Sequence, residues 1–521
     1  MNLDRTRPFK LSSSLALICL LTFLLSGCGL SNSPQTEVVR TQNPLVMDYK
    51  ILVSGPAQAW VEFGPDANYG WRTSSVAAIG DGTSSLRVLV AGMRPSTTYH
   101  MRMNVQWKNG RAWIDRDHIV TTGAIAPQGS LTLHVTRPSQ TALATFAQQG
   151  VELLNLADTG PSTLQEAVSD LDGNIIWFYS PANGESMLPL KPLSNGHMIG
   201  EVTLPTGGGS TLREIDLAGT TIRELSSAKL GQALLSLGRS VNLSLFHHDI
   251  LTLPNGHTIV LANMTVPYND LPGYPGTTDV IGDVLIDLDS NWNPVWFWST
   301  FDHLDVNRHL QGLPDWTHSN AVLYTPNDGN LLLSIRHQSW VIKIDYANGT
   351  GTGDVLWKLG QDGDFTLAGG DPTQWFYAQH YPNVLDINGS KMTMAVVDNG
   401  NLRVLSPSGD VCGFGVPCYS RAVIFDVDEA ARVATLNWQN SPGLFTSWGG
   451  SIDIVDGSNV EFDLTAPFPS SSPPYFLPKS RIQELTQDMN ETVLWQLDLN
   501  GANAYRAYRI PSLYPGITWS K

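Results

Sequence analysis

Apolar and polar positions alternate in short runs along most of the chain, and the runs end at Gly, Pro, Asn or Asp. A period of two is typical of β-strands with one buried face, and the interrupting residues are those that tight turns favour. Few segments have the period and the length of a helix. The pattern therefore predicts an all-β protein.

One stretch, residues 316–337, reads WTHSNAVLYTPNDGNLLLSIRH and predicts a hairpin that turns at residues 327–329. Because strand side chains alternate faces, His318 and Asn320 point the same way. Folding about the turn places Arg336 almost opposite Asn320. An imidazole, an amide and a guanidinium would then surround one small oxyanion such as sulfate or phosphate. The alternative is three ordinary polar residues near a sheet edge.

Two patterns recur beyond about residue 130. The first is a turn motif that follows a strand, at residues 193–196, 253–256, 327–329, 387–389 and 455–457. The second is a hairpin whose second strand often carries tryptophan, with six copies that start near residues 170, 216, 287, 345, 426 and 485. Two hairpins make a four-stranded blade, so six copies predict a six-bladed β-propeller over residues 124–521. The segment AYRAYRI, residues 504–510, is expected to close the ring by pairing with an early strand.

Residues 44–123 form a separate group of short alternating strands. The segment MRPSTTYHMRM, residues 93–103, places Tyr99 just after a turn, as in the corner tyrosine of a fibronectin type III-like β-sandwich. Nothing in this segment indicates chemistry. We interpret it as a small β-sandwich that precedes the propeller and acts as a spacer or packing module.

Three histidines share one phase of the repeat. His248, His318 and His380 lie seven, nine and eight residues before the asparagine of the following turn motif. Equivalent positions in successive blades converge on the propeller axis, so the three imidazoles are expected to meet at one end of the channel, with Asn320 and Arg336. Independent surface histidines would not share a phase.

Alternation leaves one neighbouring choice open, because only one of His247 and His248 can face the channel. We select His248, which precedes Asp249. Histidine serves as a nucleophile, a base or a metal ligand, so a three-histidine metal site is a second interpretation. Asp249 favours a metal, whereas Arg336 would repel a divalent cation. Transfer of an oxyanion group fits the residues better, and no metal or cofactor is expected.

Three fragments resemble the bacterial arylsulfate sulfotransferase family: FHHDILTLPNGH (246–257), WTHSNAVLYTPNDGNLLLSIRH (316–337) and QHYPNVLDINGSKMTMAVVDNG (379–400). The expected architecture of export signal, β-sandwich and six-bladed propeller is also similar. The resemblance covers most of residues 44–515. Members of this family move a sulfuryl group from an aryl sulfate to a phenol without a nucleotide sulfate donor.

The resemblance implies that His380 is the nucleophile and passes through an N-sulfohistidine. It implies that His248, His318, Asn320 and Arg336 grip the sulfuryl oxygens or handle the phenol proton. The expected partners are a small aryl sulfate and a phenol. Two other functions stay open: a non-catalytic, surface-tethered propeller scaffold, and a metal-dependent hydrolase that uses the same histidines.

The first 27 residues have a basic start, a short apolar run over residues 15–25 and small residues before Cys28, as a secretory signal does. The sequence Leu-Ser-Gly-Cys resembles a bacterial lipobox, in which Cys28 is lipidated. The polar residues 28–43 are interpreted as a tether. These features predict an exported lipoprotein of the periplasm, anchored to the outer membrane by lipid only. The alternative is a soluble exported protein from which Cys28 is removed.

The net charge of the chain limits the kinds of partner that it can bind, and two of its cysteines predict a disulfide. The chain carries 31 basic and 47 acidic residues, for a net charge of -16, which argues against nucleic acid or an anionic membrane surface as a partner. Cys412 and Cys418 are six apart in CGFGVPC, and in an exported protein this pair predicts a small disulfide loop. No feature of the sequence indicates an oligomeric state.

Overall fold

Strands joined by tight turns make up most of the chain, which confirms the predicted all-β class. The computed structural model describes residues 34–126, 131–138, 149–157, 164–182, 184–413, 415–455, 458–469 and 479–519. The α-helices in these ranges are short: α1 (Ser227–Ala233) and α2 (Thr300–His303). Single 3-10 turns occur at Pro205–Gly207, Leu234–Leu237, Arg336–Gln338, Ala347–Gly349 and Pro372–Gln374. Within the described ranges, no helix has the length and apolarity needed to cross a bilayer.

The first nine strands form two antiparallel sheets. They are β1 (Thr36–Arg40), β2 (Met47–Ser54), β3 (Ala57–Gly64), β4 (Trp71–Arg72), β5 (Val76–Ala78), β6 (Thr83–Val90), β7 (Thr98–Trp107), β8 (Ala112–Ile114) and β9 (His118–Thr121). One sheet has the order β1-β2-β6, and the other has the order β4-β3-β7-β8, with β5 on β3 and β9 on β7. Alternate residues of β3, from Ala57 to Phe63, are buried, as expected for a strand with one face on a core.

The later strands are divided among six sheets of four or five strands and one two-stranded ribbon. In chain order they are β10 (Thr132–Thr136), β11 (Val151–Ala157), β12 (Glu166–Ser169), β13 (Ile175–Tyr179), β14 (Ser186–Pro192), β15 (Met198–Thr203), β16 (Ser210–Ile215), β17 (Thr221–Ser226), β18 (Leu243–Thr252), β19 (Thr258–Leu271), β20 (Tyr274–Leu288), β21 (Pro294–Ser299), β22 (Ser319–Thr325), β23 (Asn330–Ile335), β24 (Trp340–Ile344), β25 (Val355–Gly360), β26 (Thr366–Leu367), β27 (His380–Asn388), β28 (Lys391–Asp398), β29 (Arg421–Asp428), β30 (Val433–Asn440), β31 (Leu444–Phe445), β32 (Ile452–Val455), β33 (Asn459–Thr465), β34 (Phe468–Pro469), β35 (Ser480–Leu485), β36 (Val493–Asn500) and β37 (Asn503–Ile510).

Sheets 1 to 6 have the strand orders β13-β12-β11-β37, β14-β15-β16-β17, β18-β19-β20-β21, β22-β23-β24-β25, β26-β30-β29-β28-β27 and β10-β36-β35-β33-β32. A separate ribbon pairs β31 with β34. The six predicted second-type hairpins are the connections β12–β13, β16–β17, β20–β21, β24–β25, β29–β30 and β35–β36. The predicted first-type turns join the first two strands of sheets 2 to 6. Sheet 1 has no such turn, because its corresponding strands, β37 and β11, come from distant parts of the chain.

One strand of each sheet contacts its counterpart in the next sheet or the strand beside it. These edge strands are β37, β14, β18, β22, β27 and β32. Strand β37 pairs antiparallel with β11, which joins the two ends of the sheet series. The expectation that residues 504–510 pair with an early strand is therefore met.

The repeated tryptophan of the second hairpin connects sheets 1, 3, 4 and 6 to the turn of the next sheet, whereas Trp438 Nε1 of sheet 5 has no hydrogen-bond partner among the described residues. Trp177 Nε1 donates to the Leu217 carbonyl at 2.8 Å, and Trp298 Nε1 donates to the Gly353 carbonyl at 2.8 Å. Sheet 2 has no tryptophan at this place. Instead, Arg223 of sheet 2 donates to the Ser290 carbonyl of sheet 3 at 2.8 Å. The Trp pattern in the sequence is thus a contact between neighbouring sheets.

Apolar side chains fill the spaces between successive sheets. Five hydrophobic clusters lie between sheets 2 and 3, 3 and 4, 4 and 5, 5 and 6, and 6 and 1. The cluster between sheets 1 and 2 continues into the core of the two N-terminal sheets. From Thr36 onward the described chain accordingly forms one compact unit.

Candidate active site

Three edge strands bend where they carry a histidine. His248 lies in β18, His318 directly precedes β22, and His380 begins β27. Beside each histidine the pairing register shifts, which marks a β-bulge. His248 and His318 have φ values of 66° and 48°, and Tyr381, which follows His380, has 44°. Residues other than glycine seldom adopt such angles, which cluster at functional sites. The shared phase in the sequence thus corresponds to one recurring bend.

The first two histidines lie in a contiguous group of rings. His248 packs edge-on against His318 at 4.7 Å between ring centroids. His318 stacks on His337 at 4.6 Å and 19°. His318 Nδ1 also lies 2.5 Å from Asp315 Oδ2, which orients its ring. His337 and Asp315 were not predicted as site residues from the sequence.

His380 is buried and held in a single tautomer. The Asn399 amide nitrogen donates to the carbonyls of Thr446 and Gly449, both at 3.0 Å, so its oxygen must face His380. That oxygen lies 2.7 Å from His380 Nδ1, which must therefore carry the proton. The lone pair is then on Nε2, where the Gly449 N–H approaches at a long 3.2 Å. Asn399 thus leaves the lone pair of His380 on Nε2.

Tyr505 of β37 completes the group. Its ring is 5.8 Å from His248 and 6.0 Å from His380, edge-on to both. Trp448 stacks on the other side at 6.4 Å and 18°. The sequence predicted that β37 closes the sheet series but not that it supplies a site residue. A closing strand near the axis is the signal that could have identified Tyr505.

Two donors in this group are buried without a partner among the described residues: Arg336 Nε and Tyr505 Oη. The other Arg336 nitrogens are used, because Nη1 donates to His337 Nε2 at 2.6 Å and Nη2 donates to the Ser447 carbonyl at 2.9 Å. Buried donors seldom stay unpaired in folded proteins, so two unpaired donors in this group of side chains indicate a place for an acceptor. A tetrahedral oxyanion supplies such acceptor atoms.

Burial and nearby positive charge keep the imidazoles of His248, His337 and His380 neutral. Desolvation, followed by the charges of Arg336, His318 and Arg506, lowers the pKa of His380 well below its usual value. Desolvation likewise lowers the pKa of His248. For His337, burial, with His318 and Arg336 nearby, lowers the pKa to about 4. The site therefore offers neutral imidazole at physiological pH.

The structure distinguishes the two adjacent histidines. His248 contacts His318 and Tyr505, whereas His247 lies behind it, with its Nδ1 2.8 Å from His248 Nδ1. His247 Nε2 is 3.3 Å from Asp283 Oδ1. The selected residue, His248, is thus the one beside the other site rings.

The predicted facing pair of Asn320 and Arg336 is wrong in detail. A bulge interrupts the pairing at Asn320, and Arg336 lies one residue past the end of β23, in a 3-10 turn. The Asn320 amide instead donates to the Gln379 carbonyl at 2.7 Å, next to His380. The hairpin itself is present, with Thr325 paired to Asn330 across the turn. A bulge is not visible in a sequence, and it displaced the expected register.

Three residues could bind a metal, but one of their ligand atoms already accepts a hydrogen bond from a positively charged group. Asp315, His318 and His337 each offer an atom within 4.8 Å of the others. However, His337 Nε2 accepts a hydrogen bond from the Arg336 guanidinium, which places a positive charge at the ligand atom. Asp249 does not join the group, because Lys191 and Arg506 pair with it at 2.5 and 3.0 Å. These donors suit an anion better than a divalent cation.

Of the two predictions that concern cysteines, the disulfide is present and the lipidation site is not described by the structure. Cys412 and Cys418 form a disulfide within the segment that joins β28 to β29, and Asn399 begins that segment. Cys28, the expected lipidation site, lies outside the described residues. Trp375, Phe376 and Tyr377, which lie just before His380 in the sequence, are buried in the hydrophobic cluster between sheets 4 and 5.

The fold and site together define an all-β protein of many small sheets, in which histidines lie in one group with two unpaired buried donors, Arg336 Nε and Tyr505 Oη. The sequence profile described as Arylsulfotransferase (ASST) matches residues 139–506, and the chain belongs to this arylsulfotransferase family. The matched range contains all the residues of the site.

No curated protein matches the sequence significantly. Among solved structures, a protein of unknown function from Bacteroides caccae is 10% identical, with a TM-score of 0.40, over 69% of this chain and 98% of that chain. A quinonprotein alcohol dehydrogenase-like protein from Bacteroides thetaiotaomicron is 9% identical, with a TM-score of 0.30, over 88% of this chain and 94% of that chain.

Proposed function

We propose that this protein transfers a sulfuryl group from an aryl sulfate to a phenol in two steps, through an N-sulfohistidine at His380. The observation that carries the proposal is the fixed tautomer of His380, whose Nε2 lone pair lies beside unpaired buried donors. A neutral imidazole is a competent nucleophile, and a covalent intermediate lets donor and acceptor use one site in turn. Membership of the arylsulfotransferase family supports the substrate class.

In the first step His380 Nε2 attacks sulfur, and the aryl oxygen leaves with the electron pair of the broken S–O bond. In this proposal Arg336 Nε and Tyr505 Oη donate to the sulfuryl oxygens, which carry the negative charge. His318 and His248 line the same space. Asn320 holds the backbone next to His380 through the Gln379 carbonyl. Preorganised donors of this kind stabilise charge without reorganisation.

Mixing the protein with 4-nitrophenyl sulfate alone tests this mechanism. We expect a rapid release of about one nitrophenol per site, followed by a slow phase, because no acceptor removes the sulfuryl group. Mass spectrometry should then find one added sulfuryl group on a peptide that contains His380. Slow release without a burst, or the added mass on another peptide, would contradict the proposal.

The lowered pKa of His380 predicts the pH dependence of the burst. A folded pKa below the ordinary value keeps Nε2 unprotonated as the pH falls through about 6.5, the usual histidine pKa. The burst rate should therefore be level from pH 8 to pH 6.5 and decline only at lower pH. Stopped-flow measurements across this range provide the check. A rate that halves at pH 6.5 or above would show that the pKa is not lowered.

We also propose that the six sheets are the blades of a six-bladed β-propeller and that residues 44–123 are a fibronectin type III-like sandwich. The cyclic contacts of the edge strands and the pairing of β37 with β11 support the first assignment. The second is supported by Tyr99, whose hydroxyl accepts a hydrogen bond at 2.9 Å from the backbone of Arg94, as a corner tyrosine does.

We further propose that the protein is an exported lipoprotein of the periplasm, anchored through Cys28. The basic start, the apolar run and the Leu-Ser-Gly-Cys sequence support this location. Cys28→Ser should leave an unprocessed precursor or release the protein from the membrane fraction. Fractionation followed by intact-mass analysis measures both the location and the acyl chains. A mature soluble protein that begins after Cys28 would contradict the anchor.

A further inference from the structure

Behind His248 lies a row of polar groups that the proposed sulfuryl transfer does not yet use. Asp283 begins the row, His247 stands in the middle, and His248 ends it beside His318 and Tyr505. Asp283 and His247 are buried or nearly so, with side chains 3% and 13% exposed. The row therefore runs from the interior of sheet 3 to the group of rings around His380.

The Asp283 carboxylate is fixed as a hydrogen-bond acceptor. Its Oδ2 accepts from the Ser319 N–H at 2.6 Å and from the Thr317 hydroxyl at 2.7 Å. Burial alone would raise the pKa of Asp283, but its contact with His247 and its hydrogen bonds from Ser319 and Thr317 bring the pKa below its ordinary value. Oδ1 is left to face His247 Nε2 at 3.3 Å, an ion-pair distance without the geometry of a hydrogen bond, and His247 Nε2 has no other partner among the described residues.

The ionised carboxylate determines the protons along the row. With Oδ1 3.3 Å away, the carboxylate favours the N–H of His247 on Nε2 over a lone pair there, and the His247 Nδ1 lone pair then accepts the proton of His248 Nδ1 at 2.8 Å. His248 then has its own lone pair on Nε2. Asn399 sets the tautomer of His380 in the same way. The free lone pair of His380 is proposed to act as a nucleophile, whereas that of His248 is suited to act as a base.

We infer that Asp283 and His247 make His248 the general base that takes the proton of the acceptor phenol. This inference rests on the proposed sulfuryl transfer. In the second step the phenol oxygen bonds to sulfur while the S–N bond to His380 breaks, and its electron pair returns to Nε2. The phenol proton moves to His248 Nε2. The proton on His248 Nδ1 can then pass to His247 Nδ1, where the positive charge faces the Asp283 carboxylate.

The surroundings of His248 explain why it needs this support. The charged and titratable side chains near it are His247, His318, His380, Arg506 and Tyr505. Arg506 is positive, and none of the others carries a negative charge at neutral pH. A proton on an isolated His248 would therefore be unfavourable. The Asp283 carboxylate, which is separated from His248 by His247, supplies the compensating negative charge without occupying space that a substrate needs.

His247→Phe tests the inference, because it retains an aromatic ring and removes both nitrogens. With 4-nitrophenyl sulfate alone, the burst should keep its amplitude and rate, since nitrophenolate leaves without a proton. Transfer from the sulfated enzyme to phenol should fall by about 10²-fold, the range for lost acid–base catalysis. Transfer to pentafluorophenol, which is ionised at neutral pH, should be unchanged. Asp283→Asn should show the same selectivity to a smaller degree.

His257→Phe is the matched control, because His257 also belongs to sheet 3 and pairs with a buried aspartate, Asp287, at 3.1 Å. It should leave both steps and both acceptors unaffected. If His247→Phe also loses the burst, Asp283→Asn becomes the deciding variant. It must slow transfer to phenol and leave transfer to pentafluorophenol unchanged. Equal rates for the two acceptors, or equal losses in both, would overturn the inference alone. A wild-type protein with no burst would overturn the proposed sulfuryl transfer as well.

Discussion

His380→Ala is expected to abolish sulfuryl transfer and the burst of phenol release. The described site has other imidazoles, but His337 Nε2 is occupied by Arg336 and His248 is held for proton transfer. His380 Nε2 has a lone pair fixed by Asn399, and its ring lies near the unpaired donors of Arg336 and Tyr505. Assays with 4-nitrophenyl sulfate and phenol should find no product above background, and the sulfuryl mass should be absent from the digest.

His197→Ala is a suitable control for this variant. His197 pairs with Glu214 at 2.6 Å at the first turn of sheet 2, outside the group of site rings. It should retain full activity. A metal chelator should also leave the wild-type rate unchanged. Residual transfer by His380→Ala would refute the covalent intermediate, and inhibition by a chelator would favour a metal-dependent hydrolase.

Arg336→Ala is expected to leave a folded protein that transfers sulfuryl groups at least about 10²-fold more slowly, as when one transition-state donor is removed. The loss should appear mainly in kcat, because charge on the sulfuryl oxygens and the leaving oxygen changes most during transfer. The same variant should move the acid decline of the burst to higher pH. The Arg336 charge is a principal cause, after burial, of the lowered pKa of His380.

Arg102→Ala provides the comparison, since it removes a guanidinium from a partly exposed ion pair with Glu62 in the N-terminal sheets. Exposed ion pairs of this kind contribute little to stability, so activity and unfolding midpoint should both stay near wild type. Unchanged kcat for Arg336→Ala would remove this residue from the proposed transition state. An acid decline that stays in place would separate its charge from the pKa of His380.

Much of the fold could be predicted because its signals are local. Each hairpin is marked by a turn sequence between two alternating runs. The shared phase of His248, His318 and His380 is found by counting the residues to the next turn. The misplaced pair of Asn320 and Arg336 shows the limit of this counting. A single bulge shifts the register, and nothing in the local sequence marks it.

The residues missed by the sequence analysis reach the site across sheets or behind other side chains. Tyr505 comes from the far end of the described chain, and Asp283 acts through His247. Asn399 was accessible in principle. The hairpin that turns at Asn388 pairs His380 with Val397, and Asn399 follows two positions later on the same face. The register reasoning used for residues 316–337 would have placed Asn399 beside His380.

The pairing of β37 with β11 also sets the order in which the molecule can mature. Synthesis proceeds from the N-terminus, so sheets 2 to 6 can begin to pair while sheet 1 still lacks its last strand. Closing that contact costs the loop entropy of nearly all of the chain between β11 and β37, which makes it a late event in folding. Because the same strand carries Tyr505 and Arg506, His380 gains its full surroundings only when β37 has paired with β11. Under the proposed mechanism, an interrupted chain would have no competent sulfuryl acceptor.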